Sequence, residues 1–281
     1  MPFITLTNQN IRMYYQQYGD PQFPPLILIS GLKADHKIWG SLLESLAKTH
    51  HLLTFDNRGS GQTSDDENPF SLETMADDVI ELMHALNIKH PFITGHSLGG
   101  AITQIIARKY TTKIRKIILC NTFMKLNANA KQGFTHILDL HRQGATAAEI
   151  MHGIVPWGFS ASFATAEFLQ TLYQTSNDEP HPQTLNGYQR QLDAILEFDS
   201  SQWVNTIKVP TLVIGSENDI TATKEEAKAL NQQIRCSTSL ILPGAHASMV
   251  EQPKLLSQAI KHYCRDKHND AMTGSLHRTI V

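Results

Sequence analysis

The sequence predicts an α/β fold: a mostly parallel central sheet flanked by helices, with a helical segment inserted between two strands. Three observations predict it. Short, wholly apolar runs recur along the chain, as in strands buried on both faces of a parallel sheet. Amphipathic helical patterns lie between those runs, which puts helices on both faces of the sheet. The alternation stops at about residue 122 and resumes at about residue 209.

The elements follow in order. Phe3 to Thr7 and Ile11 to Tyr18 read as two strands joined at Asn8-Gln9-Asn10, a hairpin. Pro24-Pro25 breaks the chain before Leu26-Ile27-Leu28-Ile29, the first central strand. His51 to Phe55, Pro91 to Thr94, Ile117 to Leu119, Thr211 to Ile214 and Ser239 to Leu242 are further strands. Leu72, Met75, Val79, Leu82, Met83 and Leu86 share one helical face, and Ser71 stands where an N-cap belongs. Ala101, Ile102, Ile105 and Ile106 repeat the pattern after a glycine-rich turn. The interrupting segment reads as helices at about 131–143, 145–152, 162–175 and 182–197. It is too long for ordinary crossover helices and is read as an insertion. From about Arg265 the chain is polar and aperiodic, as expected of a loosely held tail.

Composition narrows the function. With 281 residues, the chain suits one α/β domain with an insertion. Its 24 basic and 26 acidic residues leave no global nucleic-acid footprint. Cys120, Cys236 and Cys264 form no C-x-x-C pair and no disulfide framework, which favours a reducing compartment. No secretory signal and no run of about 18 apolar residues is visible, so a cytoplasmic protein without a membrane span is expected.

Gly95-His96-Ser97-Leu98-Gly99-Gly100 follows a predicted strand and opens a predicted helix. That is the setting of a G-x-S-x-G nucleophile elbow, with Ser97 on a tight turn and small neighbours two residues away. A phosphate loop would show Gly-x-Gly-x-x-Gly or a Lys-Ser/Thr pair, and neither is present. A serine nucleophile needs a base and a group to orient it, in the chain order Ser, acid, His. Of the 14 histidines, His246 alone falls in a loop after the last strand. Asp219 is expected to be the acid, in Gly215-Ser216-Glu217-Asn218-Asp219, because it lies further into the loop than Glu217. The oxyanion hole calls for two backbone amides, those of Leu98 and of Leu32 in Ser30-Gly31-Leu32-Lys33.

Together these residues resemble the α/β-hydrolase superfamily, over most of residues 1–122 and 205–262. Asp56-Asn57-Arg58-Gly59-Ser60-Gly61-Gln62-Thr63 is similar to a D-x-R-G-x-G-x-S/T loop of capped members. Gly244-Ala245-His246 with Glu251-Gln252-Pro253 is similar to a G-x-H-x-x-x-x-E-x-P ending. Ser30-Gly31 stands where many members have His-Gly. The resemblance implies a core of 1–122 and 206–264, a helical cap at 123–205 and a tail at 265–281. It also implies that Asp56 and Arg58 hold loops near the site. Within the superfamily the chain resembles small carboxylesterases, including pimeloyl-acyl-carrier-protein methyl ester esterases of biotin synthesis and 3-oxoadipate enol-lactonases.

The expected chemistry is ester hydrolysis through an acyl-enzyme, without metal or organic cofactor. The substrate is a small-molecule ester or one bound to an acyl carrier protein. Trp157 and Phe159 either line an apolar acyl pocket or pack within the insertion. Arg108, Lys109, Lys113, Arg115 and Lys116 form a basic cluster, read as a solvated helix end ahead of a carrier-docking patch. The alternatives are enol-lactone or C–C bond hydrolysis, acyl transfer, or a ligand-binding receptor that retains the three residues.

Overall fold

In the computed structural model, which describes residues 2–7, 10–64 and 67–265, eight strands form one sheet. They are β1 (Phe3–Leu6), β2 (Ile11–Tyr18), β3 (Pro25–Ile29), β4 (His51–Phe55), β5 (Phe92–His96), β6 (Lys116–Cys120), β7 (Thr211–Ser216) and β8 (Ser237–Leu242). Their spatial order is β1-β2-β4-β3-β5-β6-β7-β8. β2 pairs antiparallel with β1 and β4, and every later pairing is parallel. Asn8 and Gln9 of the expected hairpin turn, and residues 266–281 of the expected tail, lie outside the described residues.

Helices cover both faces: α1 (Gly40–Ala47), α2 (Leu72–Ala85), α3 (Leu98–Lys109), α4 (Ala128–Arg142), α5 (Ala147–Gly158), α6 (Ala166–Asn177), α7 (Leu185–Glu197), α8 (Lys224–Gln233), α9 (Ser248–Glu251) and α10 (Pro253–Tyr263). Successive strand side chains point to opposite faces, and the core divides accordingly. Ile27, Ile29, Leu53, Phe55, Ile93 and Ile117 pack with α2 and α3. Leu26, Leu28, Leu52, Phe92 and Ile118 pack on the other face with Trp39, α1 and α10. This double burial is why the central strands read as unbroken apolar runs. Among the described residues, no helix is long and apolar enough to cross a membrane.

The segment between β6 and β7 carries α4 to α7. It leaves and returns at one neck, where Lys125 bridges Asp199 and Ser200 N donates to Met124 O at 2.8 Å. The helix starts differ from expectation because side-chain caps, not apolar periodicity, set them. Asn127, Thr146, Thr165 and Thr184 each accept a backbone N–H of the first turn. α5 also runs on to Gly158, past Pro156. Pro156 cannot donate a backbone N–H, and the last carbonyls of α5 find their partners outside the helix. Thr221 Oγ1 donates to Trp157 O at 3.0 Å, and Ala247 N donates to Gly158 O at 2.8 Å. The core loops thereby grip the end of α5 directly above the carboxyl ends of the strands.

Candidate active site

Ser97 joins β5 to α3 with φ 53° and ψ −117°. L-residues rarely adopt that combination, and holding it costs on the order of 1–3 kcal/mol. The flanking glycines explain how the turn closes. A Cβ on Gly95 would meet Gly99 O at 2.2 Å, and one on Gly99 would meet Ile29 O at 2.2 Å. β5, α3 and the end of β3 therefore approach more closely than any side chain permits. The turn is tied down by Ser97 N donating to Cys120 O at 3.0 Å and Thr122 Oγ1 donating to Ser97 O at 2.7 Å.

His246 follows β8 in a loop that turns through Gly244 at φ 95°. Its Nδ1 lies 2.8 Å from Asp219 Oδ2. Asp219 is 4% exposed and gathers three further donors: Asn121 Nδ2 at 2.9 Å, Thr221 N at 2.8 Å and Ala222 N at 2.9 Å. Burial works against its charge. The His246 imidazole, the backbone donors and Asn121 outweigh it and hold the carboxyl below the usual carboxylate range. Asp219 is thus a fixed anion that orients the imidazole.

Ser97 and His246 line one small pocket of about 80 Å³. Leu32, Lys33 and His96 line it from the core, and Phe134, Ile154, Trp157 and Tyr188 from the inserted helices. Leu98 is fully buried as the first residue of α3, so its amide is one of the free donors of that helix end. The Ser30-Gly31 loop has its own supports. Ser30 Oγ donates to Asp35 O at 2.9 Å and accepts from Trp39 Nε1 at 3.1 Å, while Asn57 Nδ2 donates to Ser30 O at 3.0 Å.

Of the two roles open to Phe159, the structure shows packing within the inserted segment. The chain turns extended at this residue as α5 ends, and its ring packs with Phe163 and Phe168, at centroid distances of 6.0 and 5.0 Å. Trp157 lines the cavity and Phe159 does not.

Asp56 accepts from His36 Nδ1 at 2.6 Å, His36 N at 2.9 Å and Gln62 N at 2.8 Å. Arg58 binds Asp78 through Nε at 2.9 Å and Nη2 at 2.7 Å, both residues buried. Glu251 accepts from Ser160 N at 2.7 Å and Ser160 Oγ at 2.8 Å, which joins the His246 loop to the chain leaving α5. The basic cluster is largely engaged. Lys109 pairs with Asp77, Lys116 donates to Tyr263 O and Arg265 O, and Arg108 and Arg115 lie over the Trp203 and Phe92 rings.

Sequence reasoning missed Asn121 and His96. Asn121 Nδ2 donates to both Asp219 Oδ2 and Ser216 Oγ at 2.9 Å, and its Oδ1 accepts from Ser248 Oγ at 2.7 Å. Its place at the carboxyl end of a central strand, where α/β sheets build their sites, is the signal that could have found it. His96 Nε2 is 3.0 Å from His246 O. A carbonyl can only accept, so Nε2 carries the proton. Burial, reinforced by His246, lowers the His96 pKa to about 3 and keeps the ring neutral.

A family model described as alpha/beta hydrolase fold matches residues 24–253. The chain is 26% identical over 258 residues to 3-oxoadipate enol-lactonase 2 of Acinetobacter baylyi, covering 92% of this chain and 94% of that one. Its fold resembles the enol-lactonase from Burkholderia xenovorans LB400, with a TM-score of 0.84, 23% identity, and 93% and 99% of the two chains covered. It also resembles a thermophilic esterase from Thermogutta terrifontis, with a TM-score of 0.78, 25% identity, and 90% and 93% covered.

Proposed function

The chain belongs to the alpha/beta hydrolase fold family, and from that premise we propose that it hydrolyses carboxylic esters through an acyl-enzyme on Ser97. One observation carries this reading. Ser97, on a strained turn, and His246, its Nδ1 committed to Asp219, line the same small pocket. His246 Nε2 takes the Ser97 proton as Oγ attacks the ester carbonyl. The Leu98 and Leu32 amides stabilise the tetrahedral oxyanion. His246 then passes the proton to the leaving alcohol, and water repeats the cycle to release the acid. The scheme calls on no metal or organic cofactor.

In this reading α4 to α7 are a cap, with Phe134, Ile154, Trp157 and Tyr188 as the apolar wall of the acyl site. The cavity of about 80 Å³ favours a short acyl group. The engaged basic cluster favours a free ester over one carried by an acidic carrier protein such as a pimeloyl-acyl carrier. Likeness to an enol-lactonase along nearly the whole chain supports a second reading, hydrolysis of a lactone on the same three residues.

A chain-length series of p-nitrophenyl esters, on wild type and Ser97→Ala, tests the chemistry. Ser97-dependent turnover that peaks at short acyl chains is expected. Its complete absence would sink the esterase reading. An enol-lactone and the methyl ester of a carrier-bound dicarboxylate, run alongside, separate the substrate classes.

A further inference from the structure

Lys33 is a cation beside the site that the ester chemistry does not use. It follows Leu32 in the loop after β3 and takes φ 65°. A long side chain in that conformation costs on the order of 1–2 kcal/mol, where glycine would cost nothing. Lys33 lines the small pocket of about 80 Å³ with Ser97 and His246, and also a larger cleft of about 400 Å³ outside it. It therefore stands at the threshold between the candidate nucleophile and solvent.

Its ammonium has no hydrogen-bond or ion-pair partner among the described residues. The carboxylates on the cleft wall are already shared with another cation. Lys37 Nζ lies 2.5 Å from Glu179 and 3.2 Å from Asp35, and Glu179 also accepts from His181 N at 3.1 Å. Burial lowers the Lys33 pKa, and Glu179 restores only part of the loss. The charge is also felt by His141, whose pKa falls to about 4 through burial and the field of Lys33. A partly desolvated cation whose nearest carboxylate is already paired with Lys37 is only partly compensated, and a ligand that brings the opposite charge into direct contact removes that cost.

We propose that Lys33 selects substrates bearing a carboxylate: with the reacting carbonyl at Ser97, an anionic group at the far end of the acyl chain is bound by the Lys33 ammonium. The inference rests on the ester-hydrolase reading and extends it by naming the charge of the substrate. Half-esters of short dicarboxylic acids are the chemical class that fits.

The test compares two p-nitrophenyl esters of matched length, the pentanoate and the monoglutarate, on wild type, Lys33→Met and Lys33→Arg. The quantity read is kcat/KM for the charged ester divided by that for the neutral one. The ratio should fall by about tenfold in Lys33→Met, mainly through KM, and recover in Lys33→Arg. A ratio within about twofold of wild type in Lys33→Met would overturn the proposal. Titration with glutarate, followed calorimetrically, covers the case in which neither ester turns over, a failure that belongs to the ester reading. Weaker glutarate binding by Lys33→Met supports the charge site, and equal affinity overturns it.

Discussion

Asn121 Nδ2 lies 2.9 Å from Asp219 Oδ2, so a residue at the end of β6 supports the carboxylate that orients His246 from the loop after β7. A hydrogen bond to a charged group contributes about 1.5–3 kcal/mol. Asn121 has φ 46°, which makes glycine the replacement that removes the side chain without straining the backbone. Asn121→Gly should lower kcat by about tenfold with KM little changed, because a loosened imidazole is felt in the transition state. Steady-state kinetics on one p-nitrophenyl ester checks this. An unchanged kcat would show that the other Asp219 donors suffice.

His96 should make stability sensitive to acid. Its folded-state pKa is about 3 against an ordinary value of 6.5. Above pH 6.5 neither state is protonated there, and His96 contributes no pH dependence. Below 6.5 the unfolded chain takes up the proton and the folded one resists, so stability falls continuously toward pH 3. Between pH 7 and 5 the loss from this residue is about 2 kcal/mol. His96→Gln keeps an N–H for the His246 carbonyl and cannot titrate. Urea unfolding of the variant should show a stability flatter by that amount over the same range.

Ser97→Gly should be inactive and more stable. Glycine adopts φ 53°, ψ −117° without the strain that serine bears there, a relief of about 1 kcal/mol or more. For a domain of this size, that amounts to a rise in Tm of about 2–4 °C. A thermal melt in which Ser97→Gly unfolds below wild type would contradict stored strain at the turn.

Glu251→Ala should cost both stability and activity. It leaves the buried N–H of Ser160 without its acceptor, a penalty of about 1–3 kcal/mol. It also loosens the loop that carries His246, leaving the Ala247 N to Gly158 O bond as its tie to the end of α5. Melting temperature and kcat should fall together, and restoring the acceptor with Glu251→Gln should recover part of both. Loss of activity at unchanged melting temperature would point to a role in the chemistry itself.

How much of this was legible in the sequence follows from how local each signal is. The nucleophile turn announces itself because two backbones cross where only Gly95 and Gly99 fit, and that requirement is written within five residues. The buried strands announce themselves as apolar runs because both faces of the sheet are covered. His246 and Asp219 follow from chain order once the strands are placed. The helix starts of the inserted segment were less legible, since single side-chain caps set them. Phe159 could not be distinguished from Trp157, because which of two nearby aromatics faces a cavity depends on where α5 ends. That end is decided by hydrogen bonds from Thr221 and Ala247, far away in the chain.

The sequence by itself determined the α/β layering and the order of Ser97, Asp219 and His246 along the chain, because periodicity, tight-turn glycines and chain order are properties of short segments. Only the tertiary structure decided what surrounds them: that Asn121 backs Asp219, that His96 braces the His246 loop, and that Lys33 stands beside the pocket with no direct ion-pair partner among the described residues. These depend on contacts between residues distant in sequence, and on which charges have already found partners.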